Sequence, residues 1–182
     1  EYSGKPQGER LYFLQGDAYY QMKQYSLATY PFERLQKIYP RSAKAVEAAF
    51  LEAKSLYMQV PTYSVDQTYT YQALEKLQYF MDRYSDSDYA KEANELILNL
   101  LTQLQKKEFE IAKQYDLIRD YQAAMKSLDN FLANNPGSVF REEALYTRLH
   151  SAYEWAINSV ESKQKERLDT AKEAYDTLLR AF

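Results

Sequence analysis

The chain offers few groups that could break or make a bond, and each has a simpler use. Its one histidine, His150, would need a serine and an acid beside it to serve as the base of a nucleophilic triad. Nothing in the order of residues places such partners, so His150 reads as a helix residue, packed or solvated. Carboxylate pairs such as Glu142 with Glu143, or Asp86 with Asp88, stand at spacings that suit helix starts, where the helix dipole stabilises negative charge without any catalytic task. Cysteine is absent, which removes disulfides, thiolate chemistry and cysteine-based zinc sites together. Neither glycine-rich phosphate-binding pattern occurs. The expectation is therefore no catalytic residue, no metal ligand and no cofactor.

Aromatic rings are what the sequence has in excess, with 19 tyrosines and 8 phenylalanines. Phe13, Phe50 and Phe109 occupy matching places in three copies of a repeated pattern. Four residues after each stand Asp17, Lys54 and Lys113, and three further on are Tyr20 and Tyr57 in the first two copies. Two readings are open. These eight residues could line the concave face of a helical stack and bind an extended or helical peptide, because buried aromatics with a few charges make good anchors. They could equally be packing between neighbouring helices, where the amphipathic tyrosine ring suits a thin two-layer stack.

The elements that would carry them are helices. Between Pro61 and Pro136 there is neither proline nor glycine, a stretch hard to build from strands and turns. Sliding the chain on itself aligns Ala28 with Ala73, Ala124 and Ala171, at offsets of 45, 96 and 143. Phe32 then falls on Leu77, Leu128 and Tyr175; Leu35 on Phe80, Phe131 and Leu178; and Tyr39 on Tyr84, Asn135 and Phe182. One small and three large residues at i, i+4, i+7 and i+11 make one face of an amphipathic helix. Each such helix has a partner upstream, with Gly16, Ala53 and Ala112 as the small residues where the two cross. In the fourth copy, Ala152 and Tyr153 make a looser match to Ala18 and Tyr19.

Tyr12, Gly16, Tyr19, Tyr25, Ala28, Phe32 and Pro40 have the spacing of the tetratricopeptide signature. The expected fold is all-α, an α-α superhelix of about four tetratricopeptide-like hairpins. It is read as one array over residues 1–182, with repeats near 8–41, 42–86, 87–137 and 138–182. Pro40 and Pro136 end helices, and Ser42, Ser87 and Ser138 are expected to cap the next ones. Pro31 is read as lying early in its helix, with only a local bend. Two inserts break the regularity. "QVPTYSVDQTYTYQ" lengthens the second hairpin's connection, and "DYAKEANELILNLLTQLQKKEF" extends the first helix of the third.

Composition excludes several classes. Hydrophobic residues are 46% and charged ones 27%, too balanced for a disordered acidic tail. Net charge is −3 and the basic residues are scattered, with no stripe for nucleic acid. No run of apolar residues is long enough to span a membrane. The opening "EYSGKPQGER" reads as a cut linker rather than a natural start.

Taken together, "YPRSAKAVEAAF", "DQTYTYQALEKLQYFMDRYSDS", "KKEFEIAKQYDLIRDYQAAMKSLDNFLANNPGS" and "REEALYTRLHSAYEWAINSVESKQKERLDTAKEAYDTLL" closely resemble BamD-type outer-membrane assembly lipoproteins of a Bacteroidetes-like kind. The resemblance runs from about Gly8 to the end and includes the inserts as well as the repeat signature. It implies a non-catalytic protein held by a lipid on the periplasmic face of the outer membrane. It also implies two partners: the periplasmic domains of a barrel-inserting subunit for the C-terminal half, and unfolded outer-membrane proteins for the N-terminal half. The chain shows no signal peptide and no lipidated cysteine. It is read as a fragment of the mature protein, missing a first repeat and whatever follows Phe182. The alternative is a peptide-binding tetratricopeptide co-chaperone or cell-envelope adaptor. A carboxylate clamp of that class needs Lys and Asn where this chain has Phe13 and Asp17, and Asp17 would repel a carboxylate.

Overall fold

The computed structural model describes residues 6–181, and all regular structure in it is α-helical. The helices are α1 (Pro6–Gln21), α2 (Tyr25–Ile38), α3 (Ala45–Tyr57), α4 (Thr68–Tyr84), α5 (Ala90–Leu117), α6 (Tyr121–Asn134), α7 (Arg141–Ile157) and α8 (Glu161–Ala181). The all-helical expectation is met. Phe182, assigned to the fourth copy's apolar face, lies outside the described residues, as does the segment 1–5 of the presumed linker.

Two compact units divide the chain, Glu1–Leu101 and Thr102–Phe182, with the boundary inside α5. In the first, Ala28, Phe32 and Leu35 of α2 pack with Ala45 and Ala48 of α3. A second cluster there joins Phe50 and Ala53 of α3, Ala73, Leu77 and Phe80 of α4, and Ala93 and Leu100 of α5. In the second unit, Phe109 and Ala112 of α5 meet Leu128 and Phe131 of α6 and Ala144 of α7. Met125, Ala152, Ala171 and Ala174 form the remaining cluster, between α6, α7 and α8.

The phasing alanines Ala28, Ala73, Ala124 and Ala171 are all buried. Their companions at i+4 and i+7 are buried in the first three copies but not in the fourth, and Tyr39, Tyr84 and Asn135 at i+11 are half-buried. In the fourth copy Tyr175 is 48% exposed and Leu178 only half-buried. Ala174, one turn on from Ala171, takes the buried place instead. Ala152 and Ala156 of α7 are buried as well, so this contact is built mainly from small side chains.

The turn between consecutive hairpins has the same hydrogen bonds three times. The Ser42, Ser87 and Ser138 amides donate to the carbonyls of Tyr39, Tyr84 and Asn135. Their own carbonyls accept from Ala45, Ala90 and Arg141, the first helical residues. The serines therefore sit one turn before the helix and are not its caps, which corrects the expectation. The Ser42 and Ser138 hydroxyls accept from the amides two residues on, Lys44 at 2.9 Å and Phe140 at 3.2 Å. The buried Ser87 hydroxyl has no partner among the described residues. Pro31 also differs from expectation. It lies in the second turn of α2 and is buried, so it forgoes a hydrogen bond to the Leu27 carbonyl that a first-turn proline would not miss.

Candidate functional site

On each first helix the residues at Phe13, Phe50 and Phe109, then four and seven places later, form one stripe, because these spacings share a helix face. The stripe meets the next first helix through repeated rungs. In every copy the phenylalanine is covered by the residue two places after the turn serine. Lys44 Nζ lies 4.7 Å from the Phe13 ring centre. Tyr89 stacks on Phe50 at 4.9 Å, and Phe140 on Phe109 at 5.6 Å. Each ring also meets a ring of the second helix, edge-on or tilted, at Phe32, Phe80 and Phe131 respectively. Phe50 and Phe109 are consequently 2% and 1% exposed, and Phe13 is half-buried. Two of the three expected contact rings thus support the surface from beneath and do not form it.

The next rung is ionic. Lys54 Nζ pairs with Glu92 at 2.6 Å while lying 5.5 Å from the Phe50 ring centre. Lys113 Nζ pairs with Glu143 at 2.6 Å and lies 5.2 Å from Phe109. Glu92 and Glu143 are in register with Glu47. In the first copy, however, the lysine place holds Asp17, and two acids would face each other. Lys44 removes that conflict. Its Nζ is 2.6 Å from Glu47, and the hydrogen bond and charge of Glu47, with a smaller pull from Asp17, hold its ammonium above the usual lysine range.

A third rung links Tyr20 to Lys54, Tyr57 to Asn99, and Asp116 to His150. Burial pushes the Tyr20 phenol up, while the hydrogen-bonded Lys54 opposes the shift without cancelling it. Burial pulls Lys54 down, but the hydrogen bonds and charges of Glu92 and Tyr20 outweigh it and leave the ammonium raised. Tyr57 Oη donates to Asn99 Oδ1 at 3.0 Å. His150 Nδ1 lies 3.1 Å from both Asp116 oxygens.

His150 therefore has an acid and a serine close by, which the sequence did not place. The arrangement differs from a nucleophilic triad. The Ser151 hydroxyl donates to Asp116 at 2.6 Å and not to the imidazole, and Ser151 is wholly buried. Asp116 accepts from both neighbours and joins α5 to α7. Among the described residues no three His, Asp or Glu side chains converge where they could hold a metal ion.

The residues expected to line a binding face thus pair chiefly with residues on or just before the next first helix. Glu92, Asn99 and Glu143 were not read from the sequence as their partners, nor Asp116 as the partner of His150. A signal was available, because Lys54, Asn99 and His150 follow the same offsets as the alanines, as do Glu47, Glu92 and Glu143. A further missed group is buried Glu52 of α3. It accepts from Gln36 Nε2 of α2 and pairs with Lys76 Nζ of α4, both at 2.7 Å.

Against known proteins, the YfiO family, described as outer membrane lipoprotein, matches residues 6–126. The outer membrane protein assembly factor BamD of Caulobacter vibrioides is 30% identical over 144 residues, covering 79% of this chain and 47% of that relative. The chain thus spans about half the length of the curated relative it matches. The crystal structure of MamA protein aligns with 95% of this chain and 91% of that one, at 16% identity and a TM-score of 0.34.

Proposed function

The chain belongs to the YfiO family of outer membrane lipoproteins, and from that membership we propose that it is a non-catalytic scaffold for the folding and insertion of outer-membrane β-barrel proteins. The observation that carries the reading is the family match over residues 6–126, alongside a relative whose name is an outer membrane protein assembly factor. The site of action is the periplasmic face of the outer membrane, with attachment through a lipid. No helix among the described residues is long and apolar enough to cross a membrane. The chain works as a tandem array of hairpins with limits near 8–41, 42–86, 87–137 and 138–182. Its partners are the periplasmic domains of the barrel-inserting subunit and unfolded outer-membrane proteins, and the contact surface includes the exposed edges of the rungs at Asp17, Tyr20, Lys54, Tyr57 and Lys113.

Support for a scaffold comes from how the polar groups are used. Lys54 and Lys113 are already neutralised by Glu92 and Glu143, which leaves neither set up to clamp a peptide carboxylate. The polar side chains on the first helices hold the hairpins at a set register, as a protein-binding frame requires. The test is association of the purified chain with the periplasmic domains of the barrel-inserting subunit, measured by calorimetry. Binding at micromolar concentration is expected. No heat of binding up to tens of micromolar overturns the reading.

A further inference from the structure

In the first unit the second helices α2 and α4 do not fill the space between them. Two adjoining cavities, of about 370 and 260 Å³, lie over α3 with α2 on one side and α4 on the other. Glu33, Glu52 and Lys76 border both. The apolar faces of the two helices turn separately to α3. Ala28, Phe32 and Leu35 of α2 pack with Ala45 and Ala48 in one cluster, and Ala73, Leu77 and Phe80 of α4 pack with Phe50 and Ala53 in another. The two second helices are therefore joined through α3, by apolar contacts that prescribe no direction.

A buried acid crosses the gap. Glu52 is the only buried carboxylate among the described residues, at 6% exposed. Its two oxygens serve opposite neighbours. Oε2 accepts from Gln36 Nε2 of α2 and Oε1 from Lys76 Nζ of α4, both at 2.7 Å. The α2 end is itself held, because the Gln36 amide also donates to the Phe32 carbonyl at 3.1 Å. At the α4 end burial opposes the Lys76 charge, and the hydrogen bond and charge of Glu52 outweigh it. Stability alone is a poor reason for such a pair, since exchanging a buried ion pair for apolar side chains of like size is often neutral or stabilising. What the pair has and an apolar contact lacks is a set length and direction.

We propose that Glu52 is a positioning residue, which holds the first hairpin at one tilt against the second by tying α2 to α4 across the unfilled gap. The tilt in turn sets how the exposed edges of the rungs at Asp17 and Tyr20 stand to those at Lys54 and Tyr57. A frame that meets a partner at several points needs that relation fixed. The proposal goes beyond the scaffold reading and is tested on the purified chain alone, so failure of either leaves the other standing.

The chain has no cysteine, so Ser26→Cys on α2 and Gln78→Cys on α4, both exposed, take two nitroxide labels and leave no other thiol to react. Double electron–electron resonance then reads the distance from α2 to α4. In the otherwise unchanged chain one narrow distribution is expected. Glu52→Met with Lys76→Met removes both charges together and leaves neither unpaired. Its distribution is expected to broaden and move to longer distance while Tm is unchanged or higher, which loss of a residue that only stabilised the fold would not produce. Glu52→Gln, of the same size, is expected to broaden the distribution as well, so the result does not hang on one variant. Exchanging the pair, Glu52→Lys with Lys76→Glu, keeps its combined length, and the Gln36 amide can turn its oxygen to the new ammonium. This variant is expected to recover the narrow distribution. A broad distribution in the starting chain, a methionine pair as narrow as the starting chain, or broadening that comes only with a lower Tm would each overturn the proposal. So would an exchanged pair that stays broad.

Discussion

Gly16 is the place where one missing atom decides a packing arrangement. A Cβ added there would lie 2.6 Å from the Phe32 ring, which is itself wholly buried and has nowhere to retreat. In the next two copies the small residue is alanine, Ala53 and Ala112, and its clusters contain Leu77 and Leu128 in place of the phenylalanine. Ring width and Cβ are therefore exchanged against each other. Gly16→Ala gains about 0.5–1 kcal/mol of helix propensity. It loses about 1–3 kcal/mol to overpacking, so a net loss of stability is expected in urea denaturation. Adding Phe32→Leu should recover much of that loss, with a coupling of about 1 kcal/mol or more in a double-mutant cycle. Simple additivity would show that the close approach does not limit the hairpin. The glycine was legible in the sequence as a signature residue. Its reason, the particular ring opposite, was not.

At the scale of the helical element, two hairpins close with the same turn. Lys23 and Arg119 take positive φ, 58° and 65°, just past the ends of α1 and α5. The amides that follow, at Gln24 and Asp120, donate to the carbonyls of Tyr19 and Tyr115 at 2.9 Å. This left-handed helix end normally falls to glycine, which has no Cβ to clash. Arg119→Gly should therefore stabilise by about 0.5–1 kcal/mol, raising Tm by roughly 2–3 °C in a chain of this size. Scanning calorimetry checks it, and a lower Tm would mean the arginine side chain holds the turn through contacts of its own. The second hairpin closes differently. Its long connection is organised by the buried Gln67, whose Nε2 donates to the carbonyls of Thr62 and Val65, both at 2.9 Å. Its Oε1 accepts from the Thr70 hydroxyl at 2.8 Å. Length and position of that insert could be read from the repeat offsets. The glutamine that orders it could not, because the carbonyls it holds are backbone groups with no sequence identity.

For the chain as a whole, the polar rungs give stability a pH dependence of known sign. The Tyr20 phenol and the Lys54 and Lys76 ammonium groups all titrate above their ordinary values in the folded state. For Tyr20 the cause is burial. For the lysines it is the hydrogen bonds and charges of their acidic partners overcoming burial. A group whose folded pKa is raised adds stability that is complete below its unfolded pKa and is lost as pH climbs through the folded one. With unfolded values near 10 for both residue types, the urea midpoint should be flat through neutral pH and fall above about pH 10. The variant Tyr20→Phe, Lys54→Met is expected to flatten that fall. An unchanged alkaline slope would mean these groups are no more stabilised folded than unfolded.

The amino-acid sequence by itself determined that the chain is helical, where its helices pair and turn, and which protein family it resembles. Periodicity and breakers are local properties, and the repeat restates them at fixed offsets. Tertiary structure decided the use of the stripe that begins at Phe13, Phe50 and Phe109. It set two of those rings inside the stack, matched Lys54 and Lys113 to acids on the following first helix, and joined Asp116 to His150 and Ser151. The physical reason is that periodicity identifies the apolar face of a helix but not the neighbour it meets. A polar side chain between two helices takes its partner from their mutual register, across some 30 to 40 residues of intervening chain.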